Sequence, residues 1–177
     1  MLQSVNSFAS SAVDLSENDL QNLLKDLNSE NLIMDRRRTS IQTIISETQF
    51  EDVHFKVRHM VMEYAREIFK EDDLFNLDLQ VTLYKGEDKG HYDWHTDKSE
   101  SDLDLISANR VLSFSILLSD DFEGGQFEFE DFEFKGLNKK FDMVMFYSNL
   151  RHRVAPVIKG NRYSLVGWLS GVRKNNG

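Results

Sequence analysis

The hydrophobic period of this chain changes near Gln80, and that change limits the fold more than any other feature. Before it, apolar residues recur every three or four positions. After it they alternate, in short runs at Val81–Tyr84, Tyr92–Thr96, Val111–Leu118, Gln126–Phe129, Phe132–Phe134, Met143–Tyr147, Val154–Ile158 and Tyr163–Leu169. Gly86, Gly90, Gly124, Gly125, Gly136 and Gly160 break the runs. Short alternating strands with regular turns predict a mainly β sandwich or barrel. Two helices are expected before it, packed against one sheet. One starts at Ser16, where Ser16 and Asp19 have the capping-box spacing and Leu20, Leu23, Leu24 and Leu27 form a stripe. The other runs from about Glu51 to Lys70, with Val53, Val57, Met60, Tyr64 and Ile68 on one face.

Composition removes several function classes. The 177 residues suit one domain at ~150 residues per domain. With no cysteine, disulfides, thiolate metal sites and cysteine nucleophiles are excluded. The net charge of −9 disfavours nucleic acid and anionic membrane surfaces as partners. No apolar run approaches the ~20 residues that span a bilayer. The first eight residues carry neither the positive charge nor the apolar stretch of a signal peptide, so a cytoplasmic location is expected. The run Arg36-Arg37-Arg38 reads as a solvated turn or strand edge.

Among five histidines, His95 stands out because Asp97 follows two positions later. On an extended strand, residues i and i+2 share a face. An imidazole and a carboxylate would then project side by side. His152, at the mouth of a later strand, is the best third donor. Two histidines and one carboxylate make the facial set of non-heme Fe(II) oxygenases, which leaves coordination positions open. His54 and His59 read as surface or half-buried helix residues, and His91 as a bystander.

Arg162, Ser164, Val166 and Trp168 alternate along one face of the last strand. If that face lines the barrel, a buried guanidinium requires an anion, and a carboxylate ligand gripped by two parallel bonds would fit, with Ser164 adding a hydroxyl. If it does not, Arg162 snorkels to the rim.

The stretch from about Leu79 to Val172 resembles the 2-oxoglutarate- and Fe(II)-dependent dioxygenases, in their prolyl 4-hydroxylase-like branch of small microbial type. The matching segments are Leu83-Tyr84-Lys85-Gly86, Tyr92-Asp93-Trp94-His95-Thr96-Asp97, Arg110 through Leu118, Gly124-Gly125-Gln126-Phe127, His152-Arg153-Val154-Ala155-Pro156-Val157 and Gly160-Asn161-Arg162-Tyr163-Ser164. The resemblance implies a double-stranded β-helix, or jelly roll. It divides a single domain of residues 1–177 into a helical part over about 1–78 and a jelly-roll core over about 79–172. It implies His95, Asp97 and His152 as iron ligands and Arg162 as the grip on the distal carboxylate of 2-oxoglutarate. Tyr84 and Ser164 become further co-substrate contacts, and Tyr92 and Trp168 fall on the substrate side. Fe(II), 2-oxoglutarate and O2 are the implied cofactors, with ascorbate as reductant. Leu117 stands where many prolyl hydroxylases carry a tyrosine, and Arg162 where collagen-type members carry a lysine.

The implied activity is hydroxylation of a C–H bond, foremost in a prolyl residue of a peptide or protein, with release of succinate and CO2. Hydroxylation of a free amino acid or other small molecule is the alternative within the enzymes. A non-catalytic jelly-roll binding module is the alternative outside them, and it gives no reason for the donor set. The acidic loop Lys98–Asp104, just after the metal pair, can close over a peptide and is expected to favour a substrate with a basic flank.

Overall fold

The computed structural model describes residues 8–25, 27, 32–34, 37–101 and 104–171. Arg36 of the basic run, Asp102 of the acidic loop and Val172 at the core's expected end lie outside the described residues. The fold is mainly β, a curled antiparallel jelly roll of the double-stranded β-helix type. Its strands are β1 (Phe8–Ala12), β2 (Leu32–Met34), β3 (Arg38–Ile44), β4 (Leu74–Lys85), β5 (His91–His95), β6 (Arg110–Leu117), β7 (Glu123–Gly124), β8 (Phe127–Phe129), β9 (Asp142–Tyr147), β10 (His152–Val154), β11 (Val157–Lys159) and β12 (Asn161–Gly171). The main sheet runs β1-β9-β6-β12-β4-β3-β5-β10-β8, with β2 added to β3, while β7 and β11 pair separately.

The part read as helical also supplies three strands. β1 extends the sheet beside β9, and β3 lies between β4 and β5. Their sequences hide them. β1 reads Phe-Ala-Ser-Ser-Ala, with little of the branched and aromatic character that marks strands. β3 alternates, but Ser40 and Gln42 occupy an inward face where apolar residues are usual. Two other expectations shift. Phe132–Phe134 is irregular, its rings packed on Phe8 and Phe129. The run Val154–Ile158 divides into β10 and β11 at Ala155-Pro156.

The first helix forms as its cap dictates. Helix α1 (Glu17–Leu24) starts at Ser16 with a reciprocal capping box to Asp19. Helix α2 (Glu51–Tyr64) continues into a π-helical turn over Ala65–Phe69 and stops at Lys70, which has a left-handed φ of 59°. Its buried stripe is Val53, His54, Val57 and Val61, continued by Ala65 and Phe69, so His54 is a core residue rather than a surface one. Leu20, Leu23, Val53, Val57 and Val61 pack on one sheet face, through Leu79, Val81, Leu112, Ile116 and Leu165. Each such side chain contributes roughly 1.5–3 kcal/mol on burial. Strand alternation turns Tyr84, Ser115, Arg162 and Ser164 to the other face, the inside of the roll.

Candidate active site

Strand β5 ends at His95, and Asp97 lies past it in a bend rather than on a continuing strand. The bend is pinned because the backbone N–H groups of Asp97 and Lys98 both donate to the Ser148 carbonyl, at 3.0 and 2.9 Å. Strand β10 pairs with β5 so that His152 stands opposite His95. Asp97 Oδ1 is 3.4 Å from His95 Nε2, and Oδ2 is 3.7 Å from His152 Nε2. One donor atom from each of the three residues lies within 4.8 Å of the others. Two facing strands and a pinned turn therefore converge on one point.

Local hydrogen bonds orient both rings. His95 Nδ1 lies 2.7 Å from the Asp93 carbonyl and His152 Nδ1 lies 2.9 Å from that of Leu150. A carbonyl only accepts, so each ring carries a proton on Nδ1 and turns its Nε2 toward the carboxylate. Burial pushes the His152 imidazole below its ordinary value; His95 adds to this and Asp97 opposes it. Burial also pushes the Asp97 carboxyl up, but His152, His95 and the Ser113 hydroxyl outweigh it and hold Asp97 well below the usual carboxylate range. The cluster thus offers two imidazoles and one carboxylate, the donor chemistry that suits ferrous iron with positions left open.

Arg162 lies deeper in the same cavity and is only 1% exposed. Its Nη1 donates to Ser164 Oγ at 3.2 Å, while Nε and Nη2 have no protein partner. Tyr84 stands opposite it in the β4–β12 register, with its ring centroid 5.7 Å from the Arg162 Cζ. Burial pushes the guanidinium down to about 10, so it remains charged at neutral pH. A buried cation with two idle donors calls for an anion, and the rim position allowed by sequence does not occur. The cavity joins the metal donors to Arg162 through Tyr84, Ser115 and Ser164. Leu117 is buried in register with Ser164, so no tyrosine hydroxyl enters from that position.

Gly125 shapes the deep end. Its φ is +64°, and a Cβ there would come 2.9 Å from Arg162 Cδ and 2.9 Å from Val157 Cγ2. Only glycine lets the chain cross so close behind the guanidinium.

Tyr92 and Trp168 line the cavity on its open side. The Tyr92 ring stacks on His95, with centroids 3.5 Å apart at 16°. Arg110 lies over Trp168 at 4.0 Å, and its Nη1 donates to the Asp97 carbonyl at 3.3 Å. An open vestibule beyond them is bordered by Lys98, Ser99, Glu100 and Asp104 of the acidic loop. Asp104 is partly spent on capping the one-turn helix α3 (Leu105–Ala108), where it accepts from the Ser107 N–H. His91 approaches the Lys89 carbonyl and His59 pairs with Glu63, so neither joins the cluster.

Sequence reasoning missed Arg38, which opens β3 and lines the cavity instead of standing in a solvated turn. It also missed Phe127 and Phe146, which pack against the His152 ring at 5.3 and 4.7 Å. The inward alternation of Phe127 and Phe129 against Glu128 and Glu130 was the available signal for the first.

A curled antiparallel roll holding two histidines and an aspartate at its open end defines a non-heme metal oxygenase architecture. The sequence profile described as the 2OG-Fe(II) oxygenase superfamily matches residues 79–170, and the chain belongs to that family. It is 34% identical over 100 residues to a PKHD-type hydroxylase of Idiomarina loihiensis. That match covers 54% of this chain and 44% of the relative's length. In structure it is similar to the viral collagen prolyl hydroxylase of Paramecium bursaria Chlorella virus-1 in its 2OG complex, with TM-score 0.75 and 22% identity over 94% of this chain and 97% of that one. A Pseudomonas putida prolyl-4-hydroxylase superposes with TM-score 0.73 at 19% identity, over 93% and 92% of the two chains. A Trichoplax adhaerens prolyl hydroxylase, in complex with a peptide fragment of the hypoxia inducible factor oxygen degradation domain, gives 0.70 at 15% identity, over 94% and 84%. Among the described residues, no helix is long and apolar enough to cross a membrane.

Proposed function

We propose that the protein is a 2-oxoglutarate-dependent hydroxylase acting on a prolyl residue within a peptide or protein, with His95, Asp97 and His152 as the iron ligands. The observation that carries this reading is the buried guanidinium of Arg162, left with two free donors in the same cavity as a His-Asp-His donor set. A diacid co-substrate answers both needs: one end reaches the metal and the other satisfies Arg162.

When bound, iron and 2-oxoglutarate supply oxidative decarboxylation by O2, giving succinate, CO2 and one oxygen atom for a substrate C–H bond. The chain's own residues bind and orient. Arg162 Nε and Nη2 donate to the distal carboxylate as a fork, and Ser164 keeps the guanidinium in plane through Nη1. Tyr84 forms the wall beside it. The Nδ1–H bonds of both histidines fix which nitrogen faces the metal. Phe127 and Phe146 keep water from the His152 side.

The open vestibule supports a peptide substrate, because it extends past Tyr92 and Trp168 along Lys98 to Asp104. The prolyl hydroxylases among the structural neighbours support the choice of residue. The test is to load the protein anaerobically with Fe(II) and 2-oxoglutarate, then expose it to O2 with a library of proline-containing peptides and with free amino acids. A peptide that gains one oxygen at proline is expected. Oxygen gained only by a free amino acid would overturn the peptidyl assignment, and no succinate from any mixture would overturn the enzyme reading.

A further inference from the structure

The two histidines of the cluster are held differently. His152 packs against Phe127, Phe129 and Phe146 at the aromatic core. His95 has Tyr92 stacked on it and the tilted His152 ring 4.3 Å away, and Tyr92 is itself half-buried at the cavity mouth. Behind Tyr92 lies Arg38, with Cζ 4.3 Å from the ring centroid. Arg38 and Tyr92 are directly opposite in the β3–β5 register, so the contact follows from strand pairing. Guanidinium, phenol and imidazole therefore form one three-layer stack.

Arg38 is anchored from the far side. Its Nε donates to Ser40 Oγ at 2.8 Å. With the Gln42 amide turned to satisfy both of its ends, its oxygen accepts from Arg38 Nη1 at 2.7 Å and its nitrogen donates to Gln80 Oε1 at 3.0 Å. Gln80 continues to Thr82 at 3.0 Å. A polar ladder across β3 and β4 thus ends on the stack that covers His95.

We propose that Arg38 is a positioning residue for the metal centre, acting through Tyr92 on the imidazole of His95. The proposal rests on the reading that His95, Asp97 and His152 hold the metal. The cation attracts the electron-rich face of Tyr92 and presses the ring against the imidazole, which hinders rotation of His95 away from the Asp93 carbonyl. Without Arg38 the Tyr92 ring loses the cation that presses it onto the imidazole, leaving the Asp93 hydrogen bond and the His152 and Asp97 contacts to hold the imidazole plane.

The test is Co(II) binding, without O2, to wild type, Arg38→Met, Tyr92→Leu, the double variant and Arg38→Lys, followed by titration and by ligand-field absorption. Arg38→Met is expected to weaken Co(II) binding about 10-fold and to shift the absorption envelope, since partners of metal ligands are typically worth 10–100-fold. Arg38→Lys, which keeps a cation over the ring, should recover most of the affinity. In the Tyr92→Leu background, Arg38→Met should cost nothing further. Arg38→Gln, uncharged but still hydrogen bonding, replaces Arg38→Met if thermal melts show the latter unfolded. Wild-type affinity and spectrum in the Arg38 variants, or an equal loss with and without Tyr92, would overturn the proposal. Failure of wild type itself to bind Co(II) would overturn the metal-centre reading, and the proposal with it.

Discussion

Replacing Arg162 with methionine should leave the ligand-free protein no less stable while removing its response to 2-oxoglutarate. Arg162 is 1% exposed and two of its nitrogens are unpaired. Substituting well-packed apolar residues for buried ionic groups gains about 1–4 kcal/mol. Methionine fills much of the same space in an adaptable shape. Against this, Ser164 loses its donor, a cost of about 1 kcal/mol. The net is about 0–3 kcal/mol in favour of the variant, at about 2–4 °C in Tm per kcal/mol for a chain of this size. Wild type, by contrast, gains about 2.7 kcal/mol when 2-oxoglutarate is at 100 times its Kd, and the variant gains almost nothing. Thermal denaturation with Mn(II) in place of iron, without O2, reads both effects. A variant that melts several degrees below wild type without 2-oxoglutarate, or keeps the ligand-induced shift, would refute the assignment of Arg162 as an unmet charge waiting for a carboxylate.

Other outcomes follow from single contacts. Gly125→Ala should destabilise the protein by about 1–3 kcal/mol and weaken 2-oxoglutarate binding, because its Cβ meets Arg162 Cδ and the backbone is left-handed; equal stability and affinity in calorimetry would contradict the close packing. At Asp19, burial pushes the carboxyl up, but the Ser16 backbone, Lys56 and the Ser16 hydroxyl together hold it below its ordinary value of 3.8. Its stabilising contribution is therefore present above pH 3.8 and lost as pH falls through the lower folded value, so Asp19→Asn should flatten the acid limb of a stability–pH curve there and leave its slope near neutrality unchanged. Glu100→Lys should raise KM for a peptide with a basic flank and leave kcat within about twofold; an unchanged KM removes the acidic loop from substrate selection.

The sequence carried the site more clearly than the N-terminal half. His95, Asp97 and His152 were legible because metal donors are rare residue types at fixed places, and Arg162 because a charge alternating into a strand interior demands a partner. Even so, the geometry arises otherwise than by strand alternation: Asp97 sits in a bend held by Ser148, fifty-one positions on, and no local pattern announces that contact. Strand β3 stayed hidden for a related reason. An enzyme interior that must hold polar ligands turns Ser40, Gln42, Gln80 and Thr82 inward, which inverts the apolar signal that marks strands elsewhere. Arg38 was misread with them, since a run of three arginines gives no hint that one of them is folded against a metal ligand's neighbour. Phe132 and Phe134 show the opposite error: alternation that forms no strand, with the rings packed on Phe8 and Phe129.

The most direct test of the metal–guanidinium pairing is the stoichiometry of Fe(II) and 2-oxoglutarate taken up without O2, measured by equilibrium dialysis on wild type and Asp97→Ala. One iron and one 2-oxoglutarate per chain are expected for wild type, with iron lost and 2-oxoglutarate weakened in the variant, whose melt stays cooperative. Iron bound equally by Asp97→Ala, or 2-oxoglutarate bound equally with and without iron, would contradict the account.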